Sequence, residues 1–300
     1  MEFAGKVALI TGGVSGIGFG IARAFSEAGI NLILTYRDEG RRSEAEHWFV
    51  EQDKVLPRFV HLDVADRARW AALAADLGPV DILVNNAGVS VFGPTDEASH
   101  ADYDWIMGVN FGGVVNGLVA MIPGMKARWQ GGHIINVASM AAFCAGPQAG
   151  IYTASKFAVR GLTESLRYNL VPYGIGVSLM CPGLTRSNAW DSALKRPDAF
   201  AESGFAPADR HELEAFGSAF ELGMDPLEVG RKTLAGMVAN DGLILTHPDH
   251  REDIDEIYRT TLAALPDEPI PPGRADIERT RRAANRAANE GNTISLADLA

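Results

Sequence analysis

The chain has 300 residues, 47% of them hydrophobic, enough to enclose one large α/β core or two small ones; a single domain is the expectation. Its 38 acidic against 27 basic side chains leave a formal charge of -11, which argues against nucleic acid or an anionic membrane surface as the principal partner. No apolar run reads as the ~20 residues a membrane helix needs, and Cys144 and Cys181 lie in separate segments, which suits packing in a reducing compartment better than a disulfide framework.

From the amino terminus, a buried-strand pattern, KVALIT, begins at residue 6 and leaves no room for the basic and apolar regions of a signal peptide, so a soluble, cytoplasmic protein is expected. Further Val, Ile and Leu runs follow in NLILTY, RFVHLDV, DILVNNAG, GHIINVAS, GVSLMCPG and LILTHP. Hydrophobicity that is continuous along a strand, rather than alternating, suits a parallel sheet covered on both faces. Helical patterns at 17–28, 65–77, 103–128 and 152–173 have the lengths of crossover helices. The sum is an α/β chain with a doubly wound, Rossmann-type parallel sheet over residues 1–265.

Directly after the first strand comes TGGVSGIG, offering Gly12, Ser15, Gly16, Ile17 and Gly18 to a cofactor. A strand feeding a helix through glycines turns backbone N–H groups and the helix dipole toward a pyrophosphate, although the spacing here is G-x-x-x-G-x-G rather than G-x-G-x-x-G. At the end of the second strand, where a carboxylate would bind the ribose of NAD, stand Tyr36 and Arg37. A guanidinium there grips a 2'-phosphate through charge-assisted bonds of roughly 1.5–3 kcal/mol each, about ten- to a hundredfold in affinity, so NADP(H) is favoured. Asp38 keeps NAD(H) open, because a shift of one residue would present its carboxylate to the ribose.

Two regions break the strand–helix rhythm. Residues 187–224 form a long insert carrying Trp190, Phe200, Phe205, Phe216 and Phe220, read as a substrate lid. Residues 266–300 read as a stiff proline-rich linker followed by a charged helix at 275–290 with little apolar face, a solvated tail or else an arm onto a partner subunit. The histidines show no metal-ligand spacing apart from His247 and His250, which flank Pro248 and Asp249, and no metal is expected.

With these pieces placed, residues 6–246 resemble the short-chain dehydrogenase/reductase family. The likeness rests on TGGVSGIG, LDV, NNAG, Asn110 in GVN, Ser139 in NVAS, YTASK and PG, in that order. It implies that Asp63 and Val64 meet the adenine, that Asn85, Ala87 and Gly88 line the ribose and nicotinamide side, and that Asn110, Ser139, Tyr152 and Lys156 are the catalytic tetrad. Pro182, Gly183, Thr185 and Ser187 match the segment that holds the carboxamide; Thr185 stands where an aliphatic residue is common and Ser187 where threonine is common. The family also pairs subunits through the helices after Asp102 and Tyr152, which implies a homo-oligomer, a dimer or tetramer.

The physics of Tyr152 and Lys156, one helical turn apart, agrees with that role. A phenol that ordinarily ionises near pH 10 trades its proton near neutrality only at a cost of about 4 kcal/mol. A positive charge about 4 Å away, at an effective dielectric near 20, supplies about that much. Lys156 is the local charge, an oxidised nicotinamide a second, and Ser139 would fix the substrate oxygen. Asn110 is expected to hold a water that links Lys156 to solvent.

Ser90, Phe92, Met140, Phe143, Gln148 and Trp190 are the candidate substrate residues. Their apolar and aromatic character points to a hydrophobic, aromatic ketone or secondary alcohol. FGPTDEASHADYDWIMGVN, VNG and MDPLEVG, with the carboxyl-terminal extension, are similar to a bacterial subgroup that oxidises the benzylic Cα alcohol of lignin-derived aryl ethers with NAD. Tyr36-Arg37 departs from that subgroup, where an acid is expected. An epimerase or dehydratase would need an extra acid or base near the nicotinamide, and a dinucleotide sensor would have no use for the proton relay.

Overall fold

The computed structural model describes residues 3–207 and 209–291. The first half of the chain runs β1 (Val7–Ile10), α1 (Gly16–Glu27), β2 (Asn31–Tyr36), α2 (Glu39–Glu51), β3 (Arg58–His61), α3 (Arg67–Asp76) and β4 (Ile82–Asn85). The second runs α4 (His100–Met107), α5 (Gly113–Arg128), β5 (Gly132–Val137), α6 (Gly150–Leu170), β6 (Ile175–Cys181), α7 (Arg210–Phe220), α8 (Pro226–Ala239), β7 (Leu243–Leu245), α9 (Arg251–Ala263) and α10 (Pro272–Asn289). All seven strands pair in parallel in the order β3-β2-β1-β4-β5-β6-β7. The order reverses between β1 and β4, which opens a crevice at the carboxyl ends of the strands.

Alternate residues of each strand enter opposite cores, and both cores are apolar. Leu9, Leu83, Ile134 and Leu179 pack with α3, α4, α5 and α6, while Ile10, Leu34, Val84, Ile135 and Met180 pack with α1, α2 and α8. This two-sided burial is why the strands read as unbroken hydrophobic runs. On the second face α1 and α8 touch backbone to backbone: a Cβ on Gly20 would stand 1.9 Å from the Pro226 carbonyl oxygen. Helix starts follow their capping residues, Asp38 for α2, Asp66 for α3, Ser99 with Asp102 for α4 and Asp225 before Pro226 for α8.

The helix expected at 103–128 is present: it runs continuously from His100 to Arg128 as α4 and α5, through a π-helical turn at Gly108–Gly112. Two other expectations are corrected. The run His100–Arg128 is also long and apolar enough to cross a membrane, with a mean hydropathy of 1.6 over its best 18 residues, against the expectation that none would be; 56% of that stretch is buried inside the fold as core helix. The charged tail is not simply solvated: α10 begins at Pro272 and packs against α6, burying Ala284 and Ala288. Residues 292–300 of the expected tail lie outside the described residues.

The insert at 187–224 contains short helical turns at Ala189–Lys195 and Asp198–Phe200 and then α7. One carboxylate fastens it to the body. Asp102 of α4, fully buried, accepts from Arg196 Nη2 at 2.6 Å, Ser203 Oγ at 2.7 Å and the Gly204 N–H at 2.9 Å, all donors from the insert.

Candidate active site

A cavity of about 1120 Å³ opens where the carboxyl ends of the strands meet the insert. At its floor, α1 starts bare: Ser15 is extended, its side chain caps nothing, and the first turn holds no acid. The exposed N–H groups and positive helix end therefore face the cavity, where Ser15, Gly16, Ile17 and Gly18 form part of the wall. Gly12 and Gly16 have positive φ angles of 62° and 49°, a backbone that favours glycine. Thr11 and Asn86 brace this turn. The Thr11 hydroxyl accepts from the N–H groups of Asn86 and Ala87 at 2.8 and 3.0 Å, and Asn86 Nδ2 donates to the Thr11 carbonyl at 2.9 Å.

At the end of β2 the wall is Tyr36, Arg37, Asp38, Glu39, Gly40 and Arg41, with Asp63 and Val64 across from it. Arg37 Nε stands 3.8 Å from Asp63 Oδ2, a loose pair, while Asp38 Oδ1 accepts the Arg41 N–H at 3.0 Å and so caps α2. Ala87 and Gly88 line the cavity after β4. Asn85 does not: it is buried in the core, where its Nδ2 donates to Asn136 Oδ1 at 2.8 Å, and its neighbour Asn86 takes the place on the wall.

Ser139 at the end of β5 and Tyr152 and Lys156 on α6 converge on the same cavity. Lys156 is 5% exposed, its Nζ 5.5 Å from the centroid of the Tyr152 ring; it donates to the Val137 carbonyl at 3.3 Å, leaving further N–H donors of the ammonium for the cavity. Ser139 Oγ accepts from the Ala141 N–H at 3.1 Å and keeps its own proton to donate. Asn110 stands behind this wall rather than on it. Held in the π-helical turn, its Oδ1 accepts from the Val89 N–H at 2.8 Å, and its Nδ2 donates to the Val89 carbonyl at 3.0 Å and to Ser155 Oγ at 3.1 Å. Gly88 lets these groups approach: a Cβ there would stand 3.2 Å from Asn110 Oδ1 and 3.6 Å from Lys156 Nζ. Pro182, Gly183, Thr185 and Ser187 close the cavity from the side of β6.

Of the expected substrate residues, Ser90, Phe92 and Met140 line the cavity and three others do not. Phe143 turns into the core under the Arg160 guanidinium, 4.0 Å from its ring centre. Gln148 gives its carbonyl to the Gly93 N–H at 2.8 Å. Trp190 packs against Gly217 of α7, where a Cβ would come within 2.7 Å of the indole. The aromatic wall is instead Phe92, 6.2 Å from the Tyr152 ring, with Phe216 5.4 Å from Phe92 and Phe220 5.4 Å from Phe216. Phe216 and Phe220 are spaced i, i+4 on α7, a pattern that was readable in the sequence. Polar groups also reach the wall: Lys195, paired with Asp191 at 2.7 Å, and His250, whose Nδ1 lies 3.3 Å from Asp253 Oδ2. Cys144 lies there too, its thiol pushed up from the ordinary range by burial and by the charge of Asp253.

Residues 6–198 match the family model for short chain dehydrogenase. A curated relative, the C alpha-dehydrogenase of Sphingobium sp. strain SYK-6, is 34% identical over 272 residues, covering 88% of each chain. Among solved structures, a short-chain dehydrogenase from Novosphingobium aromaticivorans is 36% identical with a TM-score of 0.82, covering 97% of this chain and 99% of that one. A short chain dehydrogenase/reductase from Burkholderia phymatum in complex with NAD is 32% identical with a TM-score of 0.79, covering 90% and 99%. The matched length, the parallel sheet and the shared cavity of glycine turn, serine, tyrosine and lysine lead to one conclusion: the chain belongs to the short-chain dehydrogenase/reductase family of oxidoreductases.

Proposed function

We propose that the protein transfers a hydride between a nicotinamide dinucleotide, NADP(H) in preference to NAD(H), and a hydrophobic aromatic ketone or secondary alcohol. The observation that carries this reading is the meeting of Ser139, Tyr152 and Lys156 with the uncapped start of α1 in one cavity, under the aromatic wall of Phe92, Phe216 and Phe220. A dinucleotide fits the residues present: the bare N–H groups of α1 suit a pyrophosphate, and the unspent donors of Lys156 suit ribose hydroxyls.

The dinucleotide, when bound, gives or takes the hydride. In the reductive direction Tyr152 donates its phenolic proton to the carbonyl oxygen; in the oxidative direction it takes the proton of the alcohol. The ammonium of Lys156 stabilises the phenolate left behind. Ser139, its acceptor side occupied by the Ala141 N–H, donates its hydroxyl hydrogen to the substrate oxygen and holds it beside Tyr152. Asn110 shapes the wall by gripping both polar groups of the Val89 backbone.

The preference for NADP(H) is supported by Arg37 and Arg41 on the adenosine end of the cavity and by the commitment of one Asp38 oxygen to capping α2. A second reading, an NAD-dependent dehydrogenase of benzylic Cα alcohols, is favoured by the Sphingobium relative and by the neighbour that carries NAD. The exposed Val119 and Phe157, on α5 and α6, support pairing of two copies along those helices.

The test is a substrate panel followed by nicotinamide absorbance. Aryl ketones with NADPH and with NADH, and benzylic secondary alcohols with both oxidised forms, should give turnover with the higher specificity constant for NADP(H). Faster oxidation with NAD would favour the second reading; binding without turnover across the panel would make the protein a sensor.

A further inference from the structure

The segment that leaves β7, Thr246-His247-Pro248-Asp249-His250, returns to the active site from the edge of the sheet. His247 meets the loop after β6 with both ring nitrogens. The Gly183 N–H lies 2.9 Å from Nδ1, the Thr246 hydroxyl 2.7 Å from the same atom, and the Leu184 carbonyl 2.8 Å from Nε2. A backbone N–H can only donate, so Nδ1 is the acceptor and the ring proton sits on Nε2, which donates it to Leu184. This neutral tautomer serves both loop contacts, with the Thr246 hydroxyl sharing the single Nδ1 lone pair with the Gly183 N–H. Both nitrogens are thereby spent within the chain.

The ring also fills the space above Gly183, where a Cβ would stand 2.9 Å from the imidazole Cγ. Thr246 is itself held, its carbonyl accepting from Lys232 Nζ at 2.9 Å, and Lys232 pairs with Glu228 at 2.9 Å. From the other side the Leu184 carbonyl accepts the Met224 N–H at 3.0 Å, and the Arg186 N–H donates to the Met224 carbonyl at 3.1 Å. The loop is therefore clamped between the end of the insert and the end of β7. Gly183, Leu184, Thr185 and Ser187 all line the cavity, and Ser187 reaches the glycine turn, its Cβ 3.1 Å from where a Cβ on Gly16 would be.

We propose that His247 is a positioning residue for the cofactor: by accepting from Gly183 and donating to Leu184 it fixes the loop at 182–187 against the dinucleotide. The proposal rests on the reading of this cavity as a dinucleotide site. Its reach is specific. Loss of the imidazole lets the loop shift relative to the glycine turn, so dinucleotide binding and the chemical step suffer most, while the aromatic wall, carried by Phe92 and by α7, is the less affected.

The experiment compares His247→Ala, which removes both bonds, with His247→Asn, whose Oδ1 takes the place of Nδ1 and accepts from Gly183. Dinucleotide Kd is measured by fluorescence titration with NADPH and NADH, alongside kcat, both KM values and Tm. His247→Ala should raise the dinucleotide Kd about tenfold, because re-ordering the loop on binding then costs about the net worth of one hydrogen bond, and lower kcat, with substrate KM nearly unchanged. His247→Asn should recover most of the affinity. A folded His247→Ala protein with wild-type Kd and kcat overturns the proposal, as does a His247→Asn protein impaired as much as His247→Ala. If the wild-type protein binds neither dinucleotide, the site reading fails and the proposal with it; wild-type binding that is indifferent to His247 overturns the positioning role alone.

Discussion

Replacing Asp102 with alanine should release the insert while leaving the dinucleotide half of the cavity intact. The Asp102 side chain is 0% exposed and that of its partner Arg196 13% exposed, so the substitution leaves a nearly buried guanidinium without its carboxylate. Breaking a buried ion pair by removing one partner costs about 3–5 kcal/mol. The stranded Ser203 hydroxyl and Gly204 N–H add about 1 kcal/mol each, less where the bonds are not independent. Because three of the lost donors belong to the insert, the loss should appear as local opening of 196–204 rather than as unfolding of the sheet. Trypsin should then cut at Lys195 or Arg210 well before it cuts the body, and substrate KM should rise tenfold or more with dinucleotide Kd unchanged. Adding Arg196→Met should restore part of the protection by removing the orphaned charge. The clamp should also survive mild acid. Burial pulls the Asp102 carboxyl up, but hydrogen bonds from Ser203, from the Ser99 and Gly204 N–H groups and from the Ser99 hydroxyl outweigh it and hold the carboxyl well below the usual range. Its stabilising contribution is therefore complete above the ordinary carboxylate value near 4 and is lost only as pH falls through the lower folded value. A wild-type digestion pattern and KM in Asp102→Ala would refute this account of how the insert is held.

Arg37→Ala should weaken NADP(H) about ten- to a hundredfold and leave NAD(H) nearly as before, by specificity constants; an equal loss for both would remove the phosphate role. Phe216→Ala should raise KM for aryl ketones severalfold and spare small aliphatic ones, a contrast that initial rates on the two series would reveal or refute. His133, buried between β5 and β6 with its Nε2 2.8 Å from Ser178 Oγ, is pushed down to about 4 by burial and then by the charge of Arg167. The unfolded chain takes up that proton first, so stability should fall as pH drops from about 6.5 to 4, by up to about 3 kcal/mol, and denaturant titrations of His133→Gln should show a flatter dependence.

The sequence signals that held were those in which chemistry forces both residue type and spacing. TGGVSGIG needs glycines for its positive φ angles and its uncapped helix start, and Tyr152 and Lys156 need one helical turn between them. Signals that failed were those judged by residue type alone. Trp190 was chosen for its large aromatic ring, yet the spacing of Phe216 and Phe220 was the better guide to the wall. Asn85 and Asn86 are adjacent on the chain but alternate between core and cavity, a distinction set by strand register. The π-helical turn around Asn110 leaves the hydrophobic pattern of its flanking helices intact and so escapes a reading at 3.6 residues per turn. Ala284 and Ala288 make too weak an apolar stripe to announce that α10 packs on α6. Asp102 and His247 act through partners 63 to 102 residues away, and nothing local announces those pairings.

The most direct measurement is single-turnover hydride transfer by Tyr152→Phe, with dinucleotide binding titrated on the same preparation. The account predicts wild-type dinucleotide affinity with transfer slowed by about a hundred- to ten-thousandfold, because the substituted ring fills its place beside Lys156 but carries no proton to exchange. Transfer at the wild-type rate in that variant would contradict it.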